Sequence, residues 1–354
     1  MITVGRTFGR IDHCEGSAYL TRGTVSEPAD TSMVVLEPVM VGVCRSDLRE
    51  ITGTRFGRKD FGHEIIGEVV ETTADLADLR GMRVLFDPHP TLSARTSGYA
   101  QVVQLCGSPD QLRAALVPVP DAMATAVAVF TEPLACAIHA VRHLNEVTDA
   151  IGGDLESPIA VVGAGMAGTL IAATLTARGY RCQLFNPSAP RIEFLRQRRA
   201  LPARVLAVQD DQVSWRRVVL ATAVASEPVL TTCTSMLSDA GLLVLFAGTH
   251  PGMHLRGIDL DTVRREQQVR TFTAESKDIT VAGTYGATRA DFTEALSLLM
   301  AAPDDDDWSP ARCVQRLTRE IVPFLRAAAH LNVSAAGGGL GKTLIDVRPD
   351  SGLS

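Results

Sequence analysis

A cysteine, a histidine and a glutamate of this chain carry side chains that together could hold a metal ion. Cys44 lies in the run GVCRSD, His63 follows 19 residues later in GHE, and Glu132 lies in TEPLAC. Taken singly, each is more often a core or surface residue than a ligand. Together they supply a thiolate, an imidazole and a carboxylate, the mixed set that catalytic zinc accepts while one position stays open for water or substrate.

A glycine-rich run later in the chain could bind the pyrophosphate of a dinucleotide. VVGAGMAG leaves a predicted strand, Ile159–Val162, and opens a predicted helix near Met166–Arg178. The first glycine permits a tight turn, the second lets the backbone approach the phosphates, and the third lets the helix pack close to the sheet. The helix N-terminus adds unpaired N–H groups, so this interpretation is favoured over a merely structural glycine turn. The predicted cofactor contacts are Gly163, Gly165, Met166, Ala167 and Gly168.

The residues after the next predicted strand bear on the choice between NAD and NADP. An NAD site usually places a carboxylate there for the ribose hydroxyls, whereas this chain has Asn186. A neutral side chain removes repulsion against a 2′-phosphate, which Ser188 and Arg191 could contact. The alternative is that Asn186 hydrogen-bonds the ribose of NAD. NADP is therefore slightly favoured over NAD.

Two kinds of region must position these residues. Up to about residue 140, β-like runs broken by Gly, Pro and Asp indicate a compact, mostly β domain. Its predicted strands are Ser32–Val43, Glu64–Glu71, Met82–Phe86 and Tyr99–Leu105. From about 145 to 285, apolar strands alternate with helices, which predicts an α/β domain with a doubly wound parallel sheet. Its further predicted elements are the strands Cys182–Phe185, Val205–Val208, Arg217–Ala221 and Leu242–Phe246 and the helices Pro190–Arg199 and Val229–Leu237.

The last part of the chain is predicted to hold two helices and a strand. These are the helices Arg289–Met300 and Pro310–Ala329 and the strand Thr343–Val347. The acidic run Asp304–Asp307 between the helices is interpreted as a solvated loop rather than a metal site, because adjacent exposed carboxylates seldom converge on one ion.

Composition excludes several classes of protein. The 354 residues suggest about two domains, and 46% hydrophobic with 21% charged residues excludes wholesale disorder. The net charge of -6 argues against a nucleic-acid partner. Seven scattered cysteines are too few for a disulfide scaffold, which favours a reducing, cytoplasmic location. Neither a secretory signal nor an apolar run long enough to span a membrane is recognised, so no membrane partner is expected.

The chain resembles the zinc-containing medium-chain alcohol and polyol dehydrogenases. The resemblance rests on GVCRSD, GHEIIGEV, GMRV, GYAQVV, EPLACAIHA, GAGMAG and GKTLIDV, which occur in family order over essentially the whole chain. It implies a GroES-like catalytic domain formed by residues 1–142 and 290–354, with a Rossmann domain at 143–289 inserted. It also implies a homodimer or homotetramer.

The resemblance also implies roles for residues of this chain. The implied zinc ligands are Cys44, His63 and Glu132. Glu64 would be a nearby carboxylate that can exchange onto the metal, and Ser46 would pass the proton of the substrate hydroxyl toward solvent. Asp47 would accept a hydrogen bond from His63 and orient it. Arg45 would contact the cofactor pyrophosphate.

One segment departs from the family pattern. Most relatives insert a lobe with four closely spaced cysteines, which hold a structural zinc, where this chain has only Leu85–Ser97 without a cysteine. We therefore expect one catalytic zinc at most and no structural zinc. His89, in this segment, could line a substrate pocket, although a surface position is favoured.

The resemblance implies an enzyme: a zinc-dependent, NAD(P)-linked dehydrogenase that interconverts a secondary alcohol of polyol, sugar or cyclitol type and its ketone. The alternatives are a zinc-free quinone or enoyl reductase of the same fold and a catalytically silent dinucleotide-binding or structural protein. The presence of the whole Cys44, His63 and Glu132 set argues against both alternatives.

Overall fold

A computed structural model describes residues 2–27, 31–206, 214–274, 276–303, 307–337 and 339–348. The chain divides into two compact units. The first comprises Met1–Glu132 and Thr318–Ser354, and the second comprises Pro133–Leu317. The first boundary thus falls earlier than the one expected after residue 142, and the second falls later than the one expected after residue 289.

The N-terminal part of the first unit is mostly β-structure. Its strands are β1 (Thr7–Cys14), β2 (Ser17–Thr24), β3 (Ser32–Gly42), β4 (Glu64–Thr72), β5 (Arg83–Phe86), β6 (Ala94–Arg95), β7 (Val103–Gly107) and β8 (Leu116–Pro118). Its helices are α1 (Arg45–Ile51), α2 (Pro109–Ala115) and α3 (Thr125–Ala128), and a 3₁₀ turn covers Ala74–Leu79.

The second unit alternates strands and helices. Its helices are α4 (Thr131–Ala150), which begins at the unit boundary, α5 (Met166–Ala177), α6 (Ala189–Gln197), α7 (Glu227–Met236), α8 (Leu260–Arg265), α9 (Arg289–Met300) and α10 (Pro310–Leu317). Its strands are β9 (Ile159–Val162), β10 (Cys182–Phe185), β11 (Trp215–Leu220), β12 (Leu237–Leu245), β13 (His254–Leu255), β14 (Ile258–Asp259), β15 (Val269–Ala274) and β16 (Lys277–Gly283).

The main sheet of the second unit has the order β10-β9-β11-β12-β16-β15. Adjacent strands from β10 to β16 run parallel, and β15 closes the edge antiparallel to β16. β9 is fully buried because it lies inside the sheet, between β10 and β11. The parallel sheet and the bounds of β9 and β10 are as the sequence predicts.

The chain returns to the first unit with β17 (Thr318–Pro323), α11 (Phe324–Ala336) and β18 (Lys342–Asp346). The main sheet of this unit has the order β17-β18-β3-β4-β5-β8, with β7 paired to β3 and β6 to β7. β1 and β2 form a separate antiparallel hairpin. The β-rich unit is thus built from both ends of the chain.

The pairing register of three strands determines where the candidate ligands meet. Gly42, the last residue of β3, pairs with Glu64, the first residue of β4, and with Leu344 of β18. The end of β3 therefore lies beside the starts of both antiparallel neighbours. Cys44 follows β3 by two residues and His63 directly precedes β4, so two residues distant in sequence approach each other.

Two predicted elements are wrong. Pro310–Ala329 is not one helix, because β17 separates α10 from α11. Thr318, Ile321 and Val322 are β-branched and favour a strand, Pro323 cannot continue a helix, and β17 pairs in parallel with β18. The predicted strand at residues 205–208 begins instead as a 3₁₀ turn, with one bridge from Leu206 to β10; residues 207–208 lie outside the described residues.

Most of the acidic run at residues 304–307 lies outside the described residues. Asp307 is described and forms an ion pair of 2.5 Å with Arg312. Within the described ranges, no helix is both long enough and apolar enough to cross a membrane.

Candidate functional site

The strand ends of the first unit bring three potential ligands together. One ligand atom each of Cys44, His63 and Glu64 lies within 4.8 Å of the other two. The thiol and the imidazole are half-buried, whereas the Glu64 carboxylate is fully buried. Of the predicted site residues, the structure therefore assembles the Cys44 thiol, the His63 imidazole and the Glu64 carboxylate, and Glu132 is not part of this group.

Asp47 lies on α1 and orients the His63 ring. Its Oδ1 is 3.2 Å from Nδ1 of His63 and accepts a hydrogen bond of 2.9 Å from the backbone N–H of Gly62. Its Oδ2 accepts a hydrogen bond of 2.8 Å from the hydroxyl of Tyr99. A carboxylate on Nδ1 leaves Nε2 as the nitrogen for a ligand, the arrangement common behind metal-bound histidines.

The charges of this group stabilise one another. Burial raises the pKa of Asp47, but the charge and hydrogen bond of His63 and the hydrogen bonds from Gly62 and Tyr99 outweigh burial and lower that pKa to about 2. Burial lowers the pKa of His63, yet the charges of Asp47 and Cys44 hold it well above its ordinary value. Asp47 is therefore a carboxylate at neutral pH and a strong acceptor for the imidazole.

Ser46 lies in the first turn of α1, directly beside the candidate ligands. Its hydroxyl donates a hydrogen bond of 3.1 Å to the Cys44 sulfur. Cys44 is the residue before α1, and its backbone N–H donates to Asp47. This local turn explains why GVCRSD carries a ligand, a hydroxyl and an orienting carboxylate within four residues. Arg45, in the same turn, is exposed.

Glu132 lies at the start of α4 and is buried. Burial raises the pKa of its carboxyl, and Glu64 raises it further, while His63 and His89 oppose the shift. A carboxylate oxygen of Glu132 and a ring nitrogen of His89 lie within 4.8 Å of each other. His89 is in turn held 2.7 Å from the carboxylate of buried Asp87. His89, expected at the surface, is half-buried in its loop, and its ring lies near a candidate ligand.

Lys342 is a site residue that the sequence analysis missed. It begins β18 and is fully buried, with its ammonium 2.5 Å from Oε1 of Glu64. Burial lowers the pKa of Lys342, but the charges of Glu64 and Cys44 outweigh burial and raise it. A lysine at the start of an apolar strand, inside GKTLIDV, was the available signal. Only the pairing of β18 with β3 shows what the lysine contacts.

The donor set fits a zinc ion. Cys44 and His63 supply the soft sulfur and the imidazole nitrogen that zinc prefers, and Glu64 and Glu132 supply carboxylate oxygens. Among the described residues, Oε2 of Glu64 is a buried oxygen that accepts no hydrogen bond, although it lies in ion-pair contact with Lys342. The Lys342 ammonium thus already lies against this oxygen, and the fit to zinc rests on the chemistry of the donor set.

The glycine run of the second unit forms a tight turn between β9 and α5. Gly163 has a φ of 118°, and a Cβ on Gly168 would meet the backbone oxygen of Gly163 at 1.8 Å. A Cβ on Gly165 would meet nothing within 4 Å, so that side of the loop is open. α5 begins at Met166, with Ala167 next, and no side chain caps it. The turn therefore presents free space to the first N–H groups of a helix.

Asn186, after β10, stabilises this turn directly. Its Oδ1 accepts a hydrogen bond of 2.9 Å from the backbone N–H of Ala164, and its Nδ2 donates to the backbone oxygen of Ser188. Ser188 is exposed and precedes α6, and Arg191 is half-buried in the first turn of that helix. The neutral amide thus belongs to the loop, and a hydroxyl and a guanidinium lie on the segment that follows it.

Solved structures share this fold, whereas neither a family model nor a curated protein matches the sequence. Galactitol-1-phosphate dehydrogenase from Escherichia coli is 16% identical with a TM-score of 0.71, over 96% of this chain and 100% of that one. 2R,3R-butanediol dehydrogenase from Bacillus subtilis is 18% identical with a TM-score of 0.68, over 97% and 100%. The short chain alcohol dehydrogenase rspB from E. coli CFT073, complexed with NADH, is 15% identical with a TM-score of 0.69, over 96% and 99%.

At these identities the likeness concerns the fold. The predicted α/β class is confirmed, with a Rossmann-type domain and a mostly β GroES-like domain. The chain has the fold of the medium-chain alcohol and polyol dehydrogenases, which the sequence motifs resemble.

Proposed function

We propose that the protein is a zinc-dependent, NAD(P)-linked dehydrogenase that interconverts a secondary alcohol and its ketone. The observation that carries the proposal is the convergence of Cys44, His63 and Glu64 where the end of β3 meets the start of β4, with their ligand atoms within 4.8 Å of one another. The glycine turn of the second unit supports the nucleotide half of the proposal.

In this proposal, Cys44, His63 and Glu132 hold the metal, and Glu64 is a carboxylate that can exchange onto it. Bound zinc supplies Lewis acidity that favours loss of the alcohol proton near neutral pH, and bound nicotinamide supplies the hydride acceptor. Asp47 keeps the His63 ring oriented through the 3.2 Å contact. Asp47, Glu64 and Glu132 are all buried, so their side of the site is shielded from water.

Ser46 is the proposed proton carrier. Its hydroxyl is half-buried and donates to the Cys44 sulfur at 3.1 Å, and a substrate oxygen can replace this sulfur as its hydrogen-bond partner. In the oxidative direction it accepts the proton of the substrate hydroxyl and releases its own proton toward solvent. In the reductive direction it returns a proton to the product.

Zinc content tests the metal half of the proposal. We expect about one zinc per chain by elemental analysis, as for a single catalytic site. Cys44→Ser should lose both the metal and the activity, whereas Cys106→Ser, which changes a half-buried thiol on β7, should keep both. An active wild-type protein without zinc would favour a zinc-free quinone or enoyl reductase instead.

Titration with nucleotides tests the cofactor half. We propose Gly163, Gly165, Met166, Ala167 and Gly168 as pyrophosphate contacts and Arg45 as a further one, with NADP slightly favoured over NAD. Absence of binding of either nucleotide, measured by fluorescence, would favour a catalytically silent protein. Activity with polyols, cyclitols and simple secondary alcohols would identify the substrate class.

Asn186→Asp tests the choice between the two nucleotides. The new charge keeps an acceptor for the Ala164 N–H but repels a 2′-phosphate near Ser188 and Arg191. We expect the dissociation constant of NADP to rise about tenfold, equivalent to about 1.4 kcal/mol, with that of NAD unchanged or lower. An equal weakening of both nucleotides would show that Asn186 only supports the loop.

Two further proposals complete this function. We propose a homodimer or homotetramer, which light scattering of the purified protein can measure. We also propose a reducing, cytoplasmic location, because none of the seven cysteines, all of which the structure describes, forms a disulfide.

A further inference from the structure

The segment that replaces the cysteine-rich lobe of the relatives contains a buried arginine. Arg95 lies on the two-residue strand β6, which pairs with β7. Its side chain is only 11% exposed, and its guanidinium lies 5.0 Å from the centre of the Phe86 ring. Such burial is unusual for arginine unless its donors are satisfied.

The guanidinium donates its hydrogen bonds to the backbone directly before His63. Nη1 of Arg95 donates a hydrogen bond of 2.5 Å to the backbone oxygen of Gly62, and Nη2 donates to the backbone oxygen of Asp60. One planar group therefore binds two carbonyls on either side of Phe61. The Asp60 carboxylate lies farther away, at 3.9 Å, so the backbone contacts dominate.

The neighbouring residues leave this backbone little freedom. The backbone N–H of Gly98 donates 2.8 Å to the oxygen of Phe61, between the two carbonyls that Arg95 binds. The N–H of Gly62 donates to Asp47, and Gly62 itself has a φ of 79°. Residues 95–98 thus hold three consecutive carbonyl groups directly before a candidate ligand.

We propose that Arg95 is a positioning residue for His63. The hydrogen bonds of its planar guanidinium attach the backbone of residues 60–62 to the sheet through β6 and β7. This fixes the backbone position from which the His63 side chain extends. Asp47 then fixes the rotation of the ring. The inference rests on the proposed function, because that function makes His63 a metal ligand. The position of the His63 ring is nevertheless measurable without a metal.

Arg95→Gln and Arg95→Lys test the proposal, with Arg83→Gln as the matched control. Arg83 also donates to backbone carbonyls, those of Pro120 and Asp121, and to the hydroxyl of Thr125. Its loss should therefore weaken the first unit without changing the approach to His63. Arg95→Lys keeps the positive charge but loses the planar guanidinium that binds two carbonyls. It is the variant to measure if Arg95→Gln fails to fold.

The first measurement is the zinc dissociation constant, by competition with a chromophoric chelator. We expect it to rise about 10- to 100-fold in Arg95→Gln, the range for removing support behind a ligand. Arg95→Lys should lie between Arg95→Gln and the wild type, and Arg83→Gln should equal the wild type. Wild-type affinity in both Arg95 variants, or equal weakening in Arg83→Gln, would overturn the proposal.

The second measurement is the nitrogen NMR spectrum of the His63 ring in metal-free protein, assigned with His63→Gln. We expect one sharp pair of ring signals in the wild type and in Arg83→Gln, and broadened or doubled signals in the Arg95 variants. Unchanged signals in those variants would contradict the inference. If the wild type bound no zinc, the proposed function would fail, and these ring signals alone would decide the role of Arg95.

Discussion

A buried ion pair is the residue-scale feature on which the candidate site depends most. Glu64 and Lys342 are both almost completely buried, and neither charge has access to water. Burying a charge is costly unless a partner compensates it, so each residue accounts for the presence of the other. The pair places a negative oxygen beside Cys44 and His63 without leaving the carboxylate uncompensated.

A double-mutant cycle tests this dependence. Lys342→Met should lower the free energy of unfolding of metal-free protein by about 3–5 kcal/mol, because it leaves Glu64 buried and unpaired. Glu64→Gln combined with Lys342→Met should cost less than the sum of the two single changes. Urea unfolding monitored by circular dichroism measures each value. Additive losses would show that the two side chains do not stabilise each other.

Two glycines of the nucleotide turn should respond differently to the same added methyl group. Gly165→Ala should fold with unchanged thermal stability, because its Cβ would enter open space, yet it should bind nucleotide at least about tenfold more weakly. Gly168→Ala should lower the melting temperature, because its Cβ would clash with the Gly163 oxygen. Calorimetry and fluorescence titration separate the two effects. Unimpaired nucleotide binding by Gly165→Ala would exclude this loop as the pyrophosphate site.

At the scale of elements, strand register positions the candidate metal ligands, and helix capping helps to hold two helices of the second unit together. The ends of β3, β4 and β18 coincide, and that coincidence creates the candidate metal site. In the second unit, Thr288 and Asp291 form a capping box at the start of α9. Asp291 also contacts His139 at 3.1 Å and Arg142, so one carboxylate joins α9 to α4. His139 thus joins the two helices through a hydrogen bond.

This helix junction should make stability depend on pH. The hydrogen bond to Asp291 raises the pKa of His139 against the effect of burial, and Gln267 adds to the rise. The stabilisation is complete below the unfolded pKa of about 6.5 and is lost as the pH rises through the folded pKa. Relative to the wild type, His139→Gln should therefore lower the free energy of unfolding more at about pH 6 than at about pH 9. Urea unfolding at each pH measures this difference.

His143, one turn further along α4, provides the control. Burial lowers its pKa although Glu146 opposes the shift, so any stabilisation by this residue is present above the unfolded pKa and is lost as the pH falls. His143→Gln should show the opposite dependence from His139→Gln. The same pH dependence for both variants would mean that the Asp291 contact is not responsible.

At the scale of the whole molecule, the first unit depends on contacts between the two ends of the chain. The side chain of Asn332 on α11 forms hydrogen bonds with both the N–H and the oxygen of Ala18 on β2, 314 residues away. β18 likewise pairs with β3. No disulfide supports these contacts, since none of the seven cysteines, which all lie in the described residues, is paired with another cysteine.

Thiol labelling tests the distribution of these cysteines. Burial raises the pKa of Cys182 to about 11 and those of Cys233 and Cys313 to about 12, so these thiols are poor nucleophiles. Cys14 is exposed and should react fastest with an aromatic disulfide reagent, a phase that Cys14→Ser should remove. The three buried thiols should react only after unfolding in urea. Their fast labelling in the native protein would contradict the packing of the second unit.

Much of the second unit could be predicted because its signals are local. The buried strands Ile159–Val162 and Cys182–Phe185 are continuous apolar or nearly apolar runs, and the glycine turn lies within eight residues. The prediction of one helix over residues 310–329 was wrong because it also relied on local signals. Local propensity does not reveal that residues 318–323 pair with β18, which is distant in sequence. The pairing partner, rather than propensity, decides such segments.

The sequence by itself determined the chemistry that is available: a thiol, an imidazole and carboxylates in GVCRSD, GHE and TEPLAC, and a glycine turn with an amide in place of a carboxylate. Only the tertiary structure decided the contacts of Lys342, His89 and Arg95. The physical reason is that compensation of a buried charge depends on which strand ends meet. Strand register sets those neighbours through contacts between residues distant in sequence.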